Sequence, residues 1–326
     1  MEKPRSRDGI DPVGRSKSSA DFAARLRALA AEHVPGVAIG CDDEILTAPA
    51  SPLWQRVRVF GREINVRLAA HPTEGWDAFG EADDGIEGMP SPWTLNRWTG
   101  FGLSGMQLLL GGEAYAVVRA AKANPHQLFY SDAGKAGPEQ LRAAALRSRL
   151  AAFRDDKLVI GLQLTHSGLY CCPDFGRGMQ PMPAVWHPVL GPRFGATPEM
   201  VVSDAYLDDL LGHFVRAAKL AHEAGFDFVD VKHCHGYLLH QLLGAHTRDG
   251  HYGGSFENRT RFLREVVRAI RSECPGLGIM VRLSVFDHAP ILRSGETVTD
   301  GYRPDHYMFG VAEDGAWASN EVHEFL

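Results

Sequence analysis

The chain has 326 residues, 44% of them apolar and 23% charged, with a formal net charge of −6 and a pI near 6.2. That is apolar material for one large domain or two ordinary ones, and the mild acidity argues against nucleic acid as a partner. Its longest apolar runs, such as Met106 to Leu110, fall far short of the ~20 residues that span a bilayer, and the polar opening MEKPRSRDGIDPVGRSKSS has no apolar core of a secretory signal. No membrane partner is therefore expected. Cys41, Cys171, Cys172, Cys234 and Cys274 are an odd set without a C-x-x-C spacing, which favours a reducing cytoplasm over a disulfide framework.

Residues 1–20, rich in Arg, Lys, Ser, Asp and Gly, read as a disordered leader. Residues 21–58 read as an N-terminal helix and connector. Asp21 to His33 places Phe22, Leu26, Leu29 and Ala30 on a common helical face, with Asp21 as N-cap and Pro35 as stop, and a Pro- and Ala-rich connector follows around Thr47 to Pro52. From about residue 59 the pattern becomes strand, loop, helix, strand. Asn65 to Ala70 is the first candidate strand, and Met106 to Leu110, stopped by Gly111 and Gly112, is the second. A helix over Glu139 to Phe153 starts at Pro138. Lys157 to Leu164 is nearly all apolar, as a strand buried on both faces must be. A Gly- and Pro-rich loop fills Ser167 to Pro198. Ser203 to Ala224 sets Leu207, Leu210, Leu211, Phe214, Ala218 and Ala221 at helical spacing, closed by Gly225. Phe226 to Val231 is the fourth strand, Phe256 to Glu273 the next helix, and Gly278 to Leu283 the fifth strand. A polar excursion from Asp287 to about Gly315 leads into a final helix start, capped by Ser319 or Asn320.

Strands alternating with helices imply a parallel sheet with right-handed crossovers. Eight strands close a (β/α)8 TIM barrel. The expected fold is therefore α/β, an incomplete barrel of about five to six β/α units over residues 59–326, lacking its C-terminal strands. A complete open sheet is the alternative. The most informative stretch is Phe226 to Phe262, where a short apolar strand runs into Lys232-His233-Cys234-His235, a Gly-rich loop and a helix. A barrel keeps its chemistry where strands end and βα loops begin. A metal reading of Lys232 to His235 with His240 and His246 fails on geometry. Neighbours in a strand point to opposite faces, and residues five apart do not share a helical face, so no metal is expected. Neither G-x-G-x-x-G nor G-x-x-x-x-G-K-[ST] occurs.

The segments HGYLLHQLL and YGGSFENRTRF resemble the old yellow enzyme family of FMN-dependent NAD(P)H:flavin oxidoreductases. HPTEGWD, SGMQLLLGGEA with ANPHQL, GLQLTHSG and MVRLS agree with it in the same order, over roughly residues 60–326. The resemblance implies a flavin-binding β/α barrel that moves hydride from NAD(P)H through FMN to an activated alkene or related small-molecule acceptor. Two further readings stay open: a truncated or degenerate member without flavin activity, serving as an interaction module or an inert fragment, and an iron–sulfur flavoprotein dehydrogenase of the trimethylamine or dienoyl-CoA reductase type. Homo-oligomerisation is also open.

Matched position by position, the resemblance puts Arg282 beside the flavin N1–O2 edge, Gln163 on the pyrimidine edge, and Gly111 and Gly112 close to the ring. Pro72, Thr73 and Glu74 fall in the cofactor-binding segment, Glu74 standing where many members carry a threonine near flavin O4. The family's pair of acceptor-binding side chains falls on Lys232 and His235, and its proton-donating tyrosine on Tyr237. Lys232 departs from the family's histidine, although an ammonium can still donate to an oxyanion. His166 and His233 lie near the same strand ends and are alternates. In YGGSFENRTRF, Ser255 caps the next helix with Asn258 three residues on, and Glu257, Arg259 and Arg261 tie loop to barrel, with no direct chemistry assigned.

Overall fold

The structure, a computed structural model, describes residues 16–33, 35–36, 47, 50–294, 296–297 and 301–326. Most of the expected leader, residues 1–15, lies outside that set, as do Cys41 and residues 48–49 of the connector. The chain divides into two units, Met1–Gln55 and Arg56–Leu326. In the first, helix α1 spans Ser19–His33, so the last two residues of the expected leader are already helical. Asp21 is not its N-cap. Ser18 takes that place: its Oγ accepts the Asp21 N–H at 3.1 Å, and the Asp21 carboxylate in turn accepts the Lys17 N–H at 3.0 Å. An N-cap oxygen reaches the N–H of the second or third helical residue, and Asp21 is that third residue.

The second unit opens with a hairpin that the sequence reading passed over. Strands β1 (Val57–Val59) and β2 (Arg62–Ile64) pair antiparallel. Phe60 and Gly61 between them sit at φ of 47° and 76°, the positive angles that a two-residue hairpin turn requires. A parallel sheet follows, of β3 (Ala69–Ala70), β4 (Leu108–Leu109), β5 (Ala114–Ala116), β6 (Val159–Thr165), β7 (Phe228–His233) and β8 (Gly278–Leu283). Its order is β3-β4-β6-β7-β8, with β5 also on β6. Ile64 packs with Val159 and Phe228, and the Phe60 ring lies 5.1 Å from that of Phe228. The hairpin therefore covers the N-terminal end of β6 and β7, the end away from the chemistry.

The first two expected strands shrink. Asn65 to Ala70 retains only β3, and Met106 to Leu110 only β4. Gly111 and Gly112, at φ of 120° and 51°, turn the chain out of one short strand and into β5. Helix α2 (Pro92–Leu103) was also missed, although Ser91 and Thr94 form a reciprocal cap and Pro92 occupies its first position. The remaining helices fall close to expectation: α3 (Gly137–Phe153), α5 (Asp204–Glu223), α7 (Phe256–Glu273) and the terminal α8 (Asn320–Phe325). Short α4 (Leu190–Arg193) and α6 (Leu238–Leu243) lie in the loops after β6 and β7.

Alternate residues of the strands pack in opposite directions. Leu162, Leu164, Val229 and Val231 join Leu207, Leu210 and Phe214 of α5 and Phe262, Val266 and Ile270 of α7 in the main core. The other face is left for the site. An open parallel sheet flanked by helices on one side is the architecture of an incomplete (β/α)8 barrel. Among the described residues β8 is an edge strand. Its Val281 and Leu283 line a groove of about 790 Å³ with α7 and α8. No helix among the described residues is long and apolar enough to cross a membrane.

Candidate active site

Register decides which side chains meet. Gln163 on β6 stands opposite Asp230 on β7, Asp230 opposite Met280 on β8, and Lys232 opposite Arg282. With a side-chain period of two, Gln163, Thr165, Asp230, Lys232 and Arg282 share the face turned away from the helices. Gln163, Asp230 and Lys232 are buried there. The Gln163 amide donates to Asp230 Oδ2 at 2.6 Å. Burial raises the Asp230 carboxyl above its usual range, against the lowering pull of the Gln163 bond and of the Arg282 backbone N–H. Asp230 Oδ1 and Thr165 Oγ1 are buried without a protein partner. Arg282 Nη1 reaches the Pro72 carbonyl at 3.5 Å. Gln163 and Arg282 thus flank one carboxylate on one side of the sheet.

A second cluster lies where β7 ends. Lys232 forms a short ion pair with Glu74 Oε1, and its Nζ sits 3.6 Å from the centre of the Tyr237 ring, within cation–π range. The Tyr237 hydroxyl donates to the other Glu74 oxygen at 2.7 Å. Burial, with the Glu74 charge and hydrogen bond behind it, pushes the Tyr237 phenol well above its ordinary value. Lys232 and Glu74, far apart in the chain, are therefore bonded to each other. His235 stands at the rim, exposed, at φ 62°. Its backbone N–H donates to Ser284 Oγ at 3.3 Å. Partial burial, then the neighbouring Lys232 and Arg282 charges, lower the His235 imidazole.

The glycines and alternates fall less simply. A Cβ on Gly111 would meet Gln163 and Pro72 within 3.0 Å, and one on Gly112 would meet the Trp98 ring at 2.7 Å. Both glycines are needed for internal packing. Thr73 is exposed, and its N–H reaches the Gly112 carbonyl at 3.4 Å. The two alternate histidines turn away from the Lys232 cluster. His166 is bonded to the Tyr206 hydroxyl of α5 at 2.7 Å, and the His233 ring lies 5.9 Å from Phe325 of α8. Desolvation holds both imidazoles down at about 3, so both are neutral near pH 7 and neither carries a proton to donate as a charged acid. Ser255 caps α7 through the Asn258 N–H at 3.3 Å. Arg259 and Arg261 bond loop carbonyls, whereas among the described residues Glu257 pairs with Arg261 and Arg264 of its own helix.

The sequence reading missed what fixes the Glu74 loop. Glu113, directly after the Gly pair, accepts the Gly75 N–H at 3.1 Å. Arg97 of α2 bridges Glu113 and Asp77, 2.6 Å from each. Burial pushes the Glu113 carboxyl up to about 7 against the pull of Arg97. An acid placed directly after a strand-ending Gly-Gly, where a side chain turns inward, was the available signal.

A model of the NADH:flavin oxidoreductase / NADH oxidase family matches residues 139–304. An NADPH dehydrogenase of Clostridium acetobutylicum is 31% identical over 193 residues, 58% of this chain and 54% of that protein. This chain thus spans about half the length of that curated relative. The old yellow enzyme of Pichia sp. AKU4542 superposes with a TM-score of 0.58 at 23% identity, covering 72% of this chain and 60% of that one. A morphinone reductase variant in complex with tetrahydroNAD gives 0.55 at 21% identity, covering 70% and 63%. At those identities the two structures speak for the fold, a β/α barrel.

Proposed function

This chain belongs to the NADH:flavin oxidoreductase / NADH oxidase family, and from that premise we propose that it is an FMN-dependent oxidoreductase, fed by NAD(P)H, that reduces an activated alkene or related small acceptor. One observation carries the reading. Gln163, Asp230, Lys232 and Arg282 converge on one face toward the C-terminal ends of three adjacent parallel strands, the end at which such barrels keep their active sites.

The donor set fits a flavin ring. A guanidinium and a carboxamide suit a pyrimidine edge that both donates and accepts, and the unpartnered Asp230 Oδ1 offers a ring N–H an acceptor. When bound, FMN would supply the hydride chemistry that no side chain can. Arg282 would face the edge where negative charge gathers on reduction, a fixed cation aimed at developing charge. Gln163 would hold the same edge through its amide. Pro72, Thr73 and Gly112 would border the ring with backbone. Lys232 would polarise the acceptor's oxygen, with His235 at the rim beside it. Tyr237 keeps its proton at neutral pH and would deliver it to the substrate carbon. Cysteine usage supports a cytoplasmic setting: Cys171, Cys172, Cys234 and Cys274 are free thiols.

The test is a titration with FMN, following flavin fluorescence and the visible spectrum, and then addition of NADPH or NADH without oxygen. Quenched fluorescence, a shifted spectrum and bleaching by the nicotinamide are expected. Unchanged flavin fluorescence at excess protein overturns the proposal.

A further inference from the structure

We infer that Glu74 is a specificity-determining residue, whose carboxylate takes one ammonium proton of Lys232 and the hydroxyl proton of Tyr237, leaves the other Lys232 protons for a neutral acceptor's oxygen, and so excludes carboxylate-bearing acceptors. The inference rests on the reading that Lys232 and Tyr237 face the acceptor. Lys232 comes from β7 and Tyr237 from the head of α6, yet the ammonium and the phenol converge on the two oxygens of one carboxylate. Two donors set to grip both oxygens of a carboxylate are a carboxylate receptor. Glu74 enters it from the loop after β3. The Lys232 side chain is 3% exposed and the Glu74 side chain 16%, so the lysine lies deeper and the glutamate nearer the solvent.

The occupant is held in place. The Glu113–Arg97–Asp77 network fastens the residue next to Glu74, Gly75, through its backbone N–H. An incoming carboxylate meets a filled receptor and a like charge. Truncating Glu74 takes the carboxylate away from the buried Lys232 ammonium and Tyr237 hydroxyl, a cost that a small external anion of the same chemistry offsets.

The experiment is a calorimetric titration of benzoate into the wild-type chain, Glu74→Thr and Glu74→Thr/Lys232→Met, with and without FMN. Glu74→Thr is expected to bind benzoate about tenfold or more tightly than wild type, the value of a charge-assisted hydrogen bond. The double variant is expected to lose that gain. Equal affinity in wild type and Glu74→Thr overturns the inference, as does a gain that survives Lys232→Met. If Glu74→Thr does not fold, Glu74→Gln carries the same expectation with a smaller gain. FMN binding in the same samples separates the two readings. A benzoate gain without FMN binding sinks the flavin proposal alone, and FMN binding without a benzoate gain sinks the role of Glu74 alone.

Discussion

Lys232 and Glu74 can each be picked out of the sequence as a departure, one from a histidine and one from a threonine. That they answer one another cannot, because they are far apart in the chain and are joined only by the order of the sheet. A buried lysine held by one carboxylate makes a sharp prediction. Lys232→Met leaves Glu74 without its cation and should destabilise the fold by about 2–4 kcal/mol, read as a lower urea midpoint. The Lys232→Met/Glu74→Met pair should recover most of that loss, and a double variant no more stable than the single one would refute the pairing. Glu113 gives a pH dependence. Its folded carboxyl is raised to about 7 from an ordinary 4.5, so the folded state holds a proton that the unfolded chain has released. The resulting stabilisation is full below the unfolded value and is lost as pH rises through about 7. The wild-type Tm should therefore fall between pH 5 and pH 8, by the equivalent of up to about 3 kcal/mol, and Glu113→Gln should flatten that slope.

Among elements, those with a long period and clear punctuation were legible. β8 and α7 match their sequence bounds, and β7 is shifted by two residues, since Gly225, the Pro275-Gly276 pair and the Ser255 cap mark their ends. The hairpin, α2 and β5 were not read. Each is short or led by residues that also make loops, and each gains its order from packing on something distant. Ile64, 2% exposed, is buried because Val159 and Phe228 lie beneath it, and nothing within the three residues of β2 announces that. Ile64→Ala should cost about 2–4 kcal/mol by the usual penalty for emptying a buried aliphatic site, measured by urea denaturation. A loss under 0.5 kcal/mol would mean that the hairpin is not part of the cooperative core.

At the level of the whole molecule, the sheet divides its labour by face. Helices cover one side, and the polar groups of three strands gather on the other. The alternation in β7 and β8 was visible in the sequence as VDVK and MVRL, but which parity faced the helices became fixed only when α5 and α7 were laid against Val229 and Val231. This division predicts a clean separation of effects. Val231 is fully buried on the helix side, so Val231→Ala should lower stability by about 2 kcal/mol and leave FMN affinity unchanged. Arg282 is half-buried on the other side, its side chain reaching the Pro72 carbonyl at only 3.5 Å. Arg282→Met should therefore weaken FMN binding about tenfold or more with the urea midpoint nearly unmoved. Fluorescence titration and denaturation of both variants read the two effects independently. If Arg282→Met instead unfolds the chain while Val231→Ala weakens FMN, the assignment of chemistry and support to the two faces is reversed, and the site has been placed on the wrong side of the sheet.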